Sequence, residues 1–190
     1  YLGEVHGINI AMMGADGRYL YAADGDLGIV GVIDSREDKI VKTIRVGKDP
    51  WRIYLSHDGK YGITPNNGDE TISIIDLKAQ KVAATLEAGP DMTGVNFAAG
   101  KAFVISSTSG MVYVYDMNTL RPAGRMKIGT NIQLETATTD TKDETLYLAD
   151  STENAVVIIN AKNQTFEKVT KVGLYPWGTH VMDSKDNYCH

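Results

Sequence analysis

The sequence predicts an all-β chain, a β-propeller of four-stranded blades, and three observations predict it. An apolar stretch ending in Asp34, Asp76, Asp116 and Asn160 recurs at steps of 42, 40 and 44 residues. A glycine follows each at an offset of 13, at Gly47, Gly89, Gly129 and Gly173. No segment of convincing length carries apolar residues three and four apart, as an amphipathic helix between parallel strands would require. A period near forty with four short strands per unit is that of a propeller blade, which buries both faces against its neighbours.

Each unit repeats the same elements in order. The turns Ala15-Asp16-Gly17-Arg18, His57-Asp58-Gly59-Lys60, Ala98-Ala99-Gly100-Lys101 and Asp140-Thr141-Lys142-Asp143 lead into a strand. That strand reads Tyr19-Leu20-Tyr21-Ala22, Tyr61-Gly62-Ile63-Thr64, Ala102-Phe103-Val104-Ile105 or Leu146-Tyr147-Leu148-Ala149, rich in residues that suit a pleated surface. A polar loop and a third strand follow, such as Thr71-Ile72-Ser73-Ile74-Ile75-Asp76. A short turn then leads to the last strand, such as Lys81-Val82-Ala83-Ala84-Thr85-Leu86. The terminal Asp or Asn of the third strand is expected to accept N–H groups of the turn after it. The glycine after the fourth strand is expected to take a positive φ where the chain crosses to the next unit, and Pro50, Pro90 and Pro176 to stiffen the crossing.

Composition excludes several classes. With 43% apolar and 23% charged residues, the 190-residue chain is not wholly disordered. A net charge of -5 offers no footprint for a phosphate backbone, so nucleic acid is not an expected partner. The single Cys189 cannot form an internal disulfide. No apolar run approaches the roughly 18 to 20 residues that cross a bilayer. The opening Tyr1-Leu2-Gly3-Glu4-Val5-His6 lacks a signal-peptide layout, so the expectation is a mature periplasmic or extracellular chain whose leader is gone.

The run Asp16-Gly17-Arg18-Tyr19-Leu20-Tyr21-Ala22-Ala23, then Val32-Ile33-Asp34, then Lys39-Ile40-Val41-Lys42-Thr43-Ile44-Arg45-Val46-Gly47 through Pro50, resembles the YVTN-type β-propeller repeat. That group includes surface-layer-like and cytochrome d1-like propellers and looks related to quinoprotein amine dehydrogenase propellers. The resemblance covers nearly the whole chain. It implies the fold and says little of function, because the matching residues make strands and turns. The repeats fall at about 7–50, 51–90, 91–130 and 131–176, with a partial one at 177–190 that opens on Trp177-Gly178-Thr179-His180-Val181-Met182. Relatives of this kind usually have seven blades, so about four and a half blades look like part of a seven-bladed ring. Closure with four or five blades, or two copies completing one ring, are the alternatives.

In this strand order the crossings between units and the loops between second and third strands emerge at one end, the default ligand site. There lie Pro50-Trp51-Arg52, Asp91-Met92 and Tyr175-Pro176-Trp177, with the loops Asp24-Gly25-Asp26, Asn66-Asn67-Gly68-Asp69-Glu70 and Asp150-Ser151-Thr152-Glu153-Asn154. Trp51 and Trp177 each follow a proline. They are expected to pack between blades, or else to wall the mouth of a channel. Arg52 could grip a carboxylate of a cofactor or partner, although a surface salt bridge is its commoner fate. His57 reads as an exposed turn residue. His180, placed on the innermost strand of the fifth unit, is the first candidate ligand for a metal or haem, against the ordinary reading of a hydrogen-bonded histidine. Cys189-His190 would point to opposite sheet faces, and covalent c-type haem lacks its first cysteine because position 186 is Asp. Asp24-Gly25-Asp26 is too short for a twelve-residue calcium loop. No P-loop, Gly-x-Ser-x-Gly elbow or His-Glu-x-x-His occurs. Asn163-Gln164-Thr165 is a common glycosylation pattern that carries little weight.

With no complete catalytic constellation, no catalytic residue is assigned. The first expectation is a non-catalytic binding or scaffold propeller presenting its loops to a protein partner, with assembly into a larger complex. The alternative is a redox-associated propeller that holds haem or copper through His180, with Trp177, Trp51 and Arg52 around it, or that serves a multihaem complex in cytochrome d1-like or hydrazine synthase-like fashion. Hydrolysis in the manner of lactonase-like propellers comes last, since it needs acidic and amide residues converging on calcium.

Overall fold

The computed structural model describes residues 7–129 and 134–186, and among these it contains sixteen strands and no helix. Blade 1 comprises β1 (Ile8–Met13), β2 (Tyr19–Asp24), β3 (Ile29–Asp34) and β4 (Lys39–Arg45). Blade 2 comprises β5 (Tyr54–Leu55), β6 (Tyr61–Asn66), β7 (Thr71–Asp76) and β8 (Lys81–Glu87). Blade 3 comprises β9 (Met92–Ala98), β10 (Lys101–Ser106), β11 (Met111–Asp116) and β12 (Arg121–Lys127). Blade 4 comprises β13 (Leu134–Thr139), β14 (Thr145–Asp150), β15 (Ala155–Asn160) and β16 (Thr165–Thr170). Each blade is a separate sheet whose consecutive strands pair antiparallel. The chain divides into two compact units, Tyr1–Ala88 with blades 1 and 2 and Gly89–His190 with blades 3 and 4.

Burial explains the strand wording. The middle strands are covered on both faces, so β3 is buried at all six positions and reads almost continuously apolar. The outermost strands carry the charge, and β8 alternates exposed and half-buried residues along its length. In the second unit Phe103, Ile105, Val112 and Val114 of blade 3 pack with Leu146, Leu148, Val157 and Ile159 of blade 4 in one core. In the first unit the buried Tyr21 hydroxyl donates to the Leu77 carbonyl at 3.1 Å and ties blade 1 to blade 2.

The turn after the third strand is built as the sequence predicts. Asp34 Oδ1 accepts from Arg36 N–H at 2.9 Å, and Asp76 Oδ1 accepts from Ala79 N–H at 2.8 Å. Asp116 Oδ1 accepts from the N–H groups of Asn118 and Thr119 at 2.9 and 2.8 Å. Asn160 Oδ1 does the same work with an amide, accepting from Lys162 and Asn163 at 3.1 and 3.0 Å. The backbone keeps the period too. Positive φ recurs at Asp38, Gln80, Leu120 and Gln164, between 50° and 54°, in steps identical to those of the strand ends. It recurs again at Gly17, Gly59, Gly100 and Asp143 before the second strand, between 63° and 70°.

Of the crossing glycines, Gly173 takes the expected positive φ, at 144°, whereas two others have a different cause. Gly47 and Gly89 are not among the positive-φ residues. They are glycine because the chain passes close over the next blade: a Cβ on Gly47 would stand 2.6 Å from Asn66 Nδ2, and one on Gly89 would stand 2.5 Å from the Tyr113 hydroxyl. Steric approach, not torsion, sets the second ruler at these two positions.

The acid response follows from the turns. The Arg18 side-chain hydrogen bond holds the Asp34 carboxyl below the ordinary carboxylate range, and the Thr119 N–H does so for Asp116. A carboxylate whose folded-state pKa lies below its unfolded value, about 3.9, adds stability that is present above that value and is lost as pH falls through the folded pKa. Stability therefore declines from about pH 5 towards pH 3. Asp116→Asn, which copies Asn160, is expected to leave stability at pH 7 nearly unchanged and to flatten part of this decline, as read by urea unfolding at pH 7, 5 and 3.5.

Residues 171–186 form no strand, although a fifth innermost strand was expected from Trp177 to Met182. A strand needs a ladder for its backbone groups, and this segment instead docks on blade 4. The Thr179 hydroxyl donates to the Tyr147 carbonyl at 2.6 Å, and Asp186 accepts from the Thr138 hydroxyl at 3.1 Å and from the Thr139 N–H. Cys189-His190 and Tyr1-Leu2-Gly3-Glu4-Val5-His6 lie outside the described residues.

Candidate functional site

Crossings and loops come together within each unit. In the first, Asn67 and Gly68 donate N–H to the carbonyls of Asp49 and Lys48 at 3.1 and 3.0 Å, and the Lys48 N–H donates to Asp69 Oδ2 at 3.0 Å. In the second, Ser107 donates N–H to the Asp91 carbonyl at 2.9 Å, and Tyr175 N–H donates to Asn154 Oδ1 at 2.7 Å. The residue that ends each second strand is polar and wholly buried: Asp24, Asn66, Ser106 and Asp150. Asp24 and Asp150 spend Oδ1 on the N–H groups of Leu27 and Glu153, both at 3.0 Å, and so fold the loop over themselves. Lys168 Nζ adds a charge partner for Asp150 at 3.2 Å and for Glu153 at 2.8 Å.

Blade 2 holds the sequence-selected pair Trp51 and Arg52. The Pro50–Asn66 bridge and a 3.0 Å bond from Trp51 N–H to the Pro65 carbonyl carry the strand pairing upstream of β5. Trp51 is 47% exposed, so about half of its surface is covered. Arg52 is only 8% exposed and makes no surface salt bridge among the described residues. Its guanidinium carbon lies 4.9 Å from the centre of the Tyr54 ring, and among the described residues its Nε and Nη2 have no hydrogen-bond partner. Burial pushes the Tyr54 hydroxyl up to about 12, against the opposing charge and hydrogen bond of Arg52. Two more buried polar atoms of the same blade, Thr64 Oγ1 and Asn66 Oδ1, are also without a partner. Asn66 Nδ2 is occupied, donating to Thr71 Oγ1 at 2.9 Å and Ser73 Oγ at 3.0 Å.

The other candidates fall elsewhere. Trp177, 60% exposed, and the exposed His180 sit on the irregular 171–186 segment of the second unit. His57 occupies its turn, half-buried. Among the described residues no three His, Cys, Asp or Glu side chains are grouped as a metal would need. Sequence reading missed Tyr54 as the neighbour of Arg52. A signal for Arg52 itself was present: the innermost strands Ile8–Met13, Met92–Ala98 and Leu134–Thr139 contain no Lys or Arg.

Solved structures with the same arrangement decide the architecture. Hydrazine synthase of Kuenenia stuttgartiensis matches with a TM-score of 0.75 at 15% identity, over 90% of this chain and 51% of that one. The chain is a partial β-propeller with four blades. NirN, a dihydro-haem d1 dehydrogenase solved in complex with DHE, matches this propeller with a TM-score of 0.71 at 20% identity, over 85% of this chain and 37% of its own. U3-55K matches with a TM-score of 0.70 at 14% identity, over 88% and 53%. At these identities the likeness extends to the fold alone, and the propeller spans about half or less of the length of each of these proteins. No protein-family model and no curated protein sequence matches the chain.

Proposed function

We propose that this propeller is an exported, non-catalytic binding and scaffold module that presents the crossing-and-loop end of its blades to a protein partner. The observation that supports it is Trp51, 47% exposed on a crossing hydrogen-bonded to the next loop, with exposed Asp26, Asp49, Asp69 and Glu70 on the crossing and loops of that unit. A large aromatic on a rigid mount with a charged rim is the composition of an interface anchor, and the acidic rim suits a basic partner surface. We also assign the four blades to a seven-bladed ring of the YVTN type, a reading that rests on the repeat wording.

A photo-crosslinking amino acid at the exposed Lys48 tests the reading in the native host. One discrete adduct is expected, absent when the probe stands at Val41 on the outermost strand. Trp51→Ala should cut the affinity for the captured partner at least about tenfold, the effect of truncating an anchor. Equal labelling from both positions would contradict it. The second reading, a propeller that holds a haem-type or metal cofactor, draws on the similarity to NirN, which was solved with DHE. A Soret band, or stoichiometric copper or iron, that disappears in His180→Ala would favour that reading instead.

A further inference from the structure

The turn between β15 and β16 departs from the repeat at two positions. The residue that opens the outermost strand is Lys39, Lys81 or Arg121 in blades 1 to 3, whereas blade 4 has Thr165. Two residues earlier, where the other blades carry Glu37, Ala79 and Thr119, blade 4 has Asn163. Asn163-Gln164-Thr165 is the acceptor pattern for an N-linked glycan, and a pattern this short carries little weight by itself. Its setting in the fold supplies what the wording lacks. Asn160 Oδ1 already accepts the N–H groups of Lys162 and Asn163, so the turn is capped without the Asn163 side chain. Among the described residues neither the Asn163 carboxamide nor the Thr165 hydroxyl makes a hydrogen bond, and both residues are exposed. The fold of blade 4 uses neither side chain.

Geometry brings the two residues to one side of the hairpin. In blade 1 the equivalent positions hold an ion pair, Lys39 Nζ to Glu37 at 2.5 Å, across Asp38 with its positive φ of 50°. Gln164 has the same conformation, with φ at 54°, so side chains at 163 and 165 leave the turn on a common side in blade 4 as well. Their exposure does not depend on what packs beside the blade. Glu37, Lys39, Thr119 and Arg121 are exposed too, although blades 1 and 3 each pack against the blade that follows. The turn stands at the opposite end of β15 from the 151–154 loop, so a glycan there leaves the crossing-and-loop end of that unit clear. It also answers a liability of the strand. An outermost strand offers an unpaired edge, and charge on it discourages pairing with another chain. β16 opens without the basic residue of its counterparts and exposes Phe166 and Val169. A bulky, solubilising sugar shields such an edge.

We propose that Asn163 is the attachment site of an N-linked oligosaccharide. The acceptor atom is Asn163 Nδ2, and the donor class is a polyprenyl-diphosphate-linked oligosaccharide brought by a transferase of the host. The bond from Nδ2 to the anomeric carbon forms, and the bond from that carbon to the diphosphate oxygen breaks with its electron pair. The proton lost from Nδ2 passes to a base of the transferase. Thr165 supplies the hydroxyl that the pattern requires. The proposal rests on the exported reading, because acceptor patterns of this kind are used on secreted chains.

The test uses the protein recovered from its native host, fractionated into exported and internal pools, with the peptide spanning Asn163 read by mass spectrometry. In the exported pool that peptide should carry a sugar mass located on Asn163. Thr165→Lys, which copies blades 1 and 2, should abolish the modification and leave the circular dichroism spectrum unchanged. Thr165→Ser keeps the hydroxyl and should retain the sugar. Asn163→Gln should abolish it, and serves as the second variant if Thr165→Lys fails to fold. An unmodified peptide from the exported pool would overturn the proposal and leave the exported reading standing. A sugar that persists on Asn163 in folded Thr165→Lys would overturn it as well. Protein found in the internal pool alone would overturn the exported reading and this proposal with it.

Discussion

Replacing Phe103 by alanine lowers the free energy of unfolding by about 3–5 kcal/mol, the range for emptying a fully enclosed aromatic site. Phe103 has no exposed surface and lies in the core that blades 3 and 4 share, with Val112, Leu146, Leu148 and Val157 in the same cluster. Strands on both sides fix these neighbours, so they cannot collapse into the space, and the cavity cost adds to the lost transfer energy. Urea unfolding of the intact chain measures it. A loss below about 1 kcal/mol would mean that the two blades do not bury this ring between them.

The second large effect is electrostatic. Asp150 is completely buried, and Lys168 Nζ, with its side chain 19% exposed, is its charge partner at 3.2 Å. Lys168→Met removes the partner and leaves a buried anion whose Oδ1 still accepts the Glu153 N–H. Breaking a buried pair costs more than the pair contributes, and with one hydrogen bond retained the expected loss is about 2–3 kcal/mol. Blade 2 supplies the control, since it carries the neutral Asn66 where blade 4 carries Asp150. The double variant Lys168→Met with Asp150→Asn should therefore recover at least half of the loss. Failure of the double variant to recover any of it would place the effect in lost packing of the lysine stem.

The sequence made the blades readable because the repeat was written in residues with local physical jobs. Asp34, Asp76, Asp116 and Asn160 cap turns with their own side chains, and that work needs no knowledge of the neighbouring blade. Gly47 and Gly89 could be located but not explained. What forbids a Cβ there is Asn66 in one case and Tyr113 in the other, contacts that exist only after blades pack. Segment 177–182 resembled a strand in wording, yet strand formation depends on a ladder partner, which a single segment cannot specify. Arg52 was singled out for its chemistry but assigned a surface fate, because exposure is not encoded at one position. Comparison of the chain with itself would have marked it as the basic exception among innermost strands.

Equivalent residue pairs across the middle strands test the repeating blade most directly. In the structure Ala22 faces Gly31, Thr64 faces Ser73, Val104 faces Tyr113 and Leu148 faces Val157. Nuclear Overhauser contacts between the backbones of all four pairs, in one spectrum of the intact labelled chain, are the predicted result. Contacts for one pair with a different register for its counterparts, or helical connectivities through Tyr19–Asp24 or its equivalents, would contradict the account.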